Sequence, residues 1–152
     1  ISVGDYDFVK DVLKGLGTEM KFWKVAMKPG KPMAFGMVGK IPVFGLPGNP
    51  VSSMISFELF VKPAILKMEG VNDFTAKNVD AVLEEDITKK KGLRYFLRAI
   101  TRWDDGIYLT RTTGPQGSGI LKSMALANSL IVLPEEKERV ERGRKVTVWF
   151  LD

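Results

Sequence analysis

The 152 residues include no cysteine and no histidine. Without thiols the chain has no disulfide, no thiolate zinc site, no iron–sulfur cluster and no cysteine nucleophile. Without imidazole it has no Ser-His-Asp triad and no His-ligated metal. No apolar run reaches the roughly 18 residues that a membrane-crossing helix needs, and no signal peptide opens the chain. No membrane partner and a cytoplasmic location are therefore expected. Chemistry falls to Lys, Arg, Asp, Glu, Ser, Thr, Tyr and backbone N–H groups. Any metal would be a hard cation on carboxylates. The first residue is Ile1, and Ser2-Val3-Gly4-Asp5 reads as the middle of a loop, so a fragment or a processed chain is expected.

Apolar residues make up 45% and charged residues 27%, an ordinary globular balance. A chain of this size buries a core without covalent staples. The net charge of +5 suits an anionic ligand. It is small for a nucleic-acid binder, and acidic runs break any basic stripe, so no nucleic-acid partner is expected. Basic residues are used unevenly: every Arg lies after position 71, while the first 70 residues use Lys alone. Gly70-Val71-Asn72-Asp73 carries turn residues after a long apolar run and marks a boundary between residues 1–70 and 71–152.

Residues 1–70 read as α/β. Asp5 is a candidate cap for a helix ending near Gly17, with Phe8, Val9, Val12, Leu13 and Leu16 on one face. Met20–Met27 reads as a strand. Met33–Val38 and Ile41–Leu46 form a hairpin through Gly39-Lys40. Val51–Met68 reads as a buried helix with Asn49 as its cap and Pro50 in its first turn, kinked or restarted at Pro63. Residues 71–152 read as mostly β. Strands are expected at Val79–Ile87, Arg94–Trp103, Ile107–Thr112, Ser129–Leu133 and Lys145–Leu151, with a short helix within Gly119–Asn128, arranged as a small barrel or sandwich.

Three loops carry candidate chemistry. Lys28-Pro29-Gly30-Lys31-Pro32 follows a strand bearing Lys24 and presents ammonium groups on a stiff backbone, which suits an oxyanion. Solvated basic turns of this kind are also common. Gly45-Leu46-Pro47-Gly48-Asn49-Pro50-Val51-Ser52-Ser53 leads a strand into a helix N-terminus, whose amides and dipole favour an anion, or it is simply a helix entry. Thr112-Thr113-Gly114-Pro115-Gln116-Gly117-Ser118-Gly119 is open enough for close approach of a ligand, or is a surface loop. Asp7 is free to face a site and to hold a hard cation. Arg98 shares a strand face with Phe96, as a packed stem or an anion ligand. Glu84-Glu85-Asp86 and Glu135-Glu136 read as solvated faces or strand ends.

The order of these motifs is more specific than any one of them. Ser2-Val3-Gly4-Asp5-Tyr6-Asp7, Phe22-Trp23-Lys24, Lys28-Pro29-Gly30-Lys31-Pro32-Met33-Ala34-Phe35-Gly36, Gly45-Leu46-Pro47-Gly48-Asn49-Pro50-Val51-Ser52, Phe57-Glu58-Leu59-Phe60 and Thr113-Gly114-Pro115-Gln116-Gly117-Ser118 together resemble the molybdopterin molybdotransferase family, known as MoeA and the gephyrin E domain. The resemblance implies that residues 1–70 are the C-terminal half of a three-layer molybdopterin-binding α/β domain, and residues 71–152 a β-barrel-like C-terminal domain. It implies insertion of molybdate into adenylylated molybdopterin with Mg²⁺ and release of AMP, by a homodimer. Carried over by motif, Asp7, Lys24 and Lys28 are the catalytic candidates, with Asp7 as the Mg²⁺ ligand. Lys31, Pro47, Gly48, Asn49, Pro50, Ser52, Arg98 and Ser118 are the substrate-binding candidates. Pro115 and Gly119 stand where the family often has His or Arg. The alternative is a non-catalytic scaffold or dimerisation module of the same family.

Overall fold

A computed structural model describes residues 8–73 and 77–151. Asp7 and the expected cap Asp5 lie outside the described residues. The first helix, α1, spans Val9–Gly15. Two strands follow, β1 (Glu19–Trp23) and β2 (Met27–Lys28), where the sequence suggests one. The break falls at Lys24, whose φ of 87° no regular strand accommodates. The expected hairpin forms as β3 (Ala34–Val38) and β4 (Ile41–Gly45). These two and β1 make a three-stranded antiparallel sheet in the order β1-β3-β4.

The long apolar run forms one irregular helix. It starts as α2 (Pro50–Ser56), with Asn49 as N-cap; the Asn49 carboxamide oxygen accepts from the Ser52 N–H at 3.3 Å. The turn Phe57–Val61 is widened to a π-helix before α3 (Lys62–Met68) begins with Pro63 in its first turn. Proline lacks an N–H and its ring crowds the carbonyl four residues back, so a widened turn relieves the clash. Only α2 is a buried helix as expected. None of α3 is buried, and Ile65 and Met68 are exposed, because no described element covers that face. Of the expected three-layer α/β domain, the described residues hold this sheet and these helices.

Residues 77–151 form a closed barrel. Its strands are β5 (Asn78–Leu83), β7 (Arg94–Asp104), β8 (Ile107–Thr112), β9 (Ser129–Leu133) and β11 (Lys145–Phe150). They pair in the ring β7-β8-β5-β11-β9 and back to β7, so no edge is left open. Two short strands, β6 (Ile87–Thr88) and β10 (Arg139–Val140), pair beside it, and α4 (Leu121–Ala125) is the expected short helix. The β7–β8 hairpin turns at Asp105 and Gly106, with φ of 40° and 87°, the positive pair that a tight hairpin demands. Alternate residues fill the interior: Ala81, Leu83, Leu97, Ala99, Ile131, Leu133, Val146 and Val148. A buried hydroxyl chain links Thr110, Thr101 and Ser129 at 2.8 Å per step.

The two parts are stitched together. β2 pairs in parallel with β7, placing Met27 beside Arg94 and Lys28 beside Tyr95. Met27, Val51 and Ile55 share one apolar cluster with Phe96, Met124 and Leu130 on the outer face of the barrel. Each such buried side chain stabilises by about 1.5–3 kcal/mol.

Candidate functional site

One edge of β7 is shared by two strands, β2 and β8. β2 takes Arg94 and Tyr95, and β8 takes Ala99 onward. Between them, at Arg98, the wall carries a cleft of about 980 Å³, whose lining includes Lys28, Lys89, Arg98, Gln116, Gly117 and Ser118. The sequence candidates Lys28, Arg98 and Ser118 therefore converge from three separate segments.

Lys28 and Lys89 both approach the Tyr95 ring, at 5.4 and 4.9 Å from its centroid. Lys89 is only 6% exposed. Its ammonium donates to the carbonyls of Leu93 at 2.9 Å and Glu135 at 3.3 Å. Lys28 is exposed, and among the described residues no carboxylate lies within ion-pair distance of it. The acids around the cleft are already engaged. Glu85 accepts from the Thr112 N–H at 2.6 Å, and Asp86 accepts from Arg139 and from the Arg142 N–H, both at 2.8 Å. Those two bonds, backbone first, hold the Asp86 carboxyl below its usual range. Glu138 pairs with Lys91 at 3.3 Å.

Arg98 is 1% exposed. Its Nε donates to Ser123 Oγ and its Nη2 to the Gly117 carbonyl, each at 3.0 Å. Burial lowers its pKa, and no carboxylate among the described residues balances it. Arg98 is thus a packed stem that ties down the loop after β8, and it lies in the cleft wall.

The other candidates lie apart from this cleft lining. Lys24 is exposed on its left-handed backbone, a conformation that costs about 1–3 kcal/mol. It is held by hydrogen bonds from the Lys24 N–H to Met33 O at 2.8 Å and from the Val25 N–H to Lys31 O at 3.0 Å. Lys31 is exposed across the same loop. The Pro47-Gly48-Asn49-Pro50 turn and Ser52 do not line the cleft. At that helix entry the Asn49 side chain takes the Ser52 N–H, one of the first-turn amides, and Ser53 donates its hydroxyl to Pro47 O. Gly48 lacks the positive φ that would make it demanding; Gly30 has one, at 102°. Asp7 lies outside the described residues. Among the described residues no three carboxylates gather to hold a cation.

The sequence reading passed over Lys89, Tyr95 and Gln116. Tyr95 was legible as the residue two before Leu97 on the inward face of β7. Lys89 gave no signal, since its ammonium is held by main-chain carbonyls, of Leu93 nearby and Glu135 in a distant loop, which no side-chain pattern reveals.

The cleft lies where the α/β part meets the barrel, and its lining carries Lys28, Lys89 and Arg98. Comparison with known families adds to this geometry. Residues 80–151 match the model of the MoeA C-terminal region (domain IV), and residues 1–67 match that of a probable molybdopterin binding domain. The chain belongs to the MoeA family. Molybdopterin molybdenumtransferase 2 of Mycobacterium tuberculosis is 37% identical over 99% of this chain and 38% of its own length. The Haemophilus influenzae molybdopterin molybdenumtransferase is 36% identical over 97% of this chain and 37% of its own length. A crystal structure of a molybdopterin biosynthesis MoeA protein from Pyrococcus horikoshii superposes with a TM-score of 0.75 at 29% identity, over 95% of this chain and 34% of that one. A molybdenum cofactor biosynthesis protein from Pyrococcus furiosus gives 0.73 at 29% identity, over 97% and 55%. The chain thus spans less than two fifths of the length of these curated relatives.

Proposed function

We propose that this chain is the C-terminal portion of a molybdopterin molybdotransferase, which inserts molybdate into adenylylated molybdopterin and releases AMP. The observation that carries the reading is the convergence of Lys28, Arg98 and Ser118 on one cleft in a chain of this family. Molybdate is a tetrahedral dianion, and the molybdopterin substrate carries phosphate. Fixed ammonium groups suit both. Lys28 binds and orients the oxyanion from its stiff loop. Arg98 supplies positive charge from behind, in a wall of low dielectric where that charge acts strongly. Ser118 donates from the rim. Lys24, Lys31 and the Pro47-Gly48-Asn49-Pro50 turn with Ser52 contact the remainder of the substrate in this reading. The family match over residues 1–67 supports a three-layer α/β domain for the first part, and family resemblance supports a homodimer. No described helix is long and apolar enough to cross a membrane.

The test is Lys28→Ala in the full-length chain, read as AMP release at limiting molybdate. Losing a charge-assisted hydrogen bond of about 1.5–3 kcal/mol lowers molybdate affinity roughly 10–100-fold. Stability shifts by only about 0.5 kcal/mol for an exposed loop position. Unchanged AMP release at limiting molybdate refutes the assignment.

A further inference from the structure

The strand β8 stops one residue short of what the barrel needs. Its register with β7 pairs Ala99 with Thr112, so Thr113 stands next in line opposite Arg98. The first half of that pairing forms: the Thr113 N–H donates to Arg98 O at 2.9 Å. The second half would require the Thr113 carbonyl to accept from the Arg98 N–H. The chain instead turns away at Gly114, whose φ is 93°.

Gln116 closes the gap. Its Oε1 accepts from the Arg98 N–H at 2.9 Å, and its Nε2 donates to Arg98 O at 3.1 Å. The same Nε2 donates to Gly114 O at 2.9 Å. A primary amide reproduces the donor and acceptor of a backbone peptide, so this one side chain stands in for the missing strand residue. Few other residue types offer both groups in one plane at this reach. The consequence lies next door. Gly117 offers its carbonyl to the Arg98 guanidinium at 3.0 Å, and Ser118 follows on the rim of the cleft. Backbone and side chain of Arg98 thus grip residues 116 and 117 together, immediately before Ser118.

We propose that Gln116 is a positioning residue for the oxyanion cleft, acting through Ser118. The proposal rests on the reading of the cleft given above, and the experiment separates the two. Molybdate binding is measured by calorimetry on the full-length chain for wild type, Lys28→Ala, Ser118→Ala, Gln116→Met and the double variant Gln116→Met/Ser118→Ala, each well below its melting temperature. Methionine keeps the shape of glutamine and removes both hydrogen-bonding groups. The expected result is a loss of about tenfold for Gln116→Met, comparable to that for Ser118→Ala, and no further loss in the double variant. A purely structural role lowers melting temperature without this coupling to Ser118. If Lys28→Ala and Ser118→Ala weaken binding while Gln116→Met does not, the proposal falls and the cleft reading stands. Additive losses in the double variant also overturn it. If neither Lys28→Ala nor Ser118→Ala weakens binding, the cleft reading fails and the proposal with it. Should Gln116→Met not fold, Gln116→Glu keeps the acceptor for the Arg98 N–H, loses the donor, and is read through the same cycle.

Discussion

Replacing Gly30 by alanine puts a methyl group where the lysine loop leaves no room. The backbone there has φ of 102°, a region that L side chains rarely adopt. The strain costs about 1–3 kcal/mol. The new Cβ would meet Met27 Cε at 2.7 Å and Ser56 Oγ at 2.8 Å. Both neighbours are packed: Met27 is 2% exposed and Ser56 is fully buried at the end of α2. Forcing them apart adds about 1–3 kcal/mol. The total of roughly 2–6 kcal/mol corresponds to a fall in melting temperature of at least about 4 °C for a unit of this size. Gly48, in the other loop read as an anion site, is the control. A Cβ added at Gly48 would meet nothing within 4 Å, and the φ there is not positive, so Gly48→Ala should stay within about 0.5 kcal/mol of wild type. Calorimetric melting of both variants in the full-length chain decides the matter. Molybdate affinity of the folded Gly30→Ala protein should also drop, because Lys28 and Lys31 flank the displaced residue. Equal melting temperatures for the two variants would refute the argument that the lysine loop is built against α2.

Three further outcomes follow from the same geometry. Tyr95→Leu removes the ring beneath Lys28 and Lys89 and should lower molybdate affinity several-fold by calorimetry, a cation–π contact being worth about 0.5–2 kcal/mol, while Tyr95→Phe keeps the ring and the affinity. The hydrogen bond from Arg102 holds the Glu84 carboxyl below its usual 4.5, so this pair stabilises fully above that pH and loses its effect as pH falls through the lowered value; Arg102→Ala should flatten that part of a pH series of urea unfolding. Thr101→Val leaves the buried Thr110 hydroxyl without its Thr101 partner and should destabilise by about 1–3 kcal/mol in chemical unfolding, with Thr110→Val on top restoring most of the loss.

What the sequence made legible was local. Alternation located five barrel strands, because each has one face in a closed apolar interior. Asn49 and Pro50 announced the start of α2, because a cap and a fixed φ act within one turn. Strand β2 was hidden, since two residues carry no periodicity and their pairing partner lies in the other part of the chain. The π turn was also hidden, though Pro63 signalled a disturbance. At the site, residue type and the family resemblance named Lys28, Arg98 and Ser118, and these three line one cleft. Pro47-Gly48-Asn49-Pro50 and Ser52 lie outside that cleft lining, and the cap at Asn49 takes the Ser52 N–H. Sequence reading missed Gln116, whose bonds to the Arg98 backbone form only because β8 ends where it does.

The cleft depends on contact between the two parts of the chain, and this bears on how it works. Units joined by a small or polar interface usually move against one another. Here the junction is apolar: Met27, Val51 and Ile55 on one side meet Phe96, Met124 and Leu130 on the other, all buried. It is also registered, because the β2–β7 ladder fixes Lys28 beside Tyr95. A hinge motion would have to open that core and pull the Lys28 ammonium off the ring at the same time. The lysine loop is pinned from behind as well, where Gly30 abuts Met27 and Ser56. Rigid placement of like charges is unfavourable in the empty cleft, and the packing energy of the junction holds them there regardless. In the proposed reading a dianion relieves that repulsion without requiring the protein to rearrange, and selectivity follows the spacing of charges that the fold fixes.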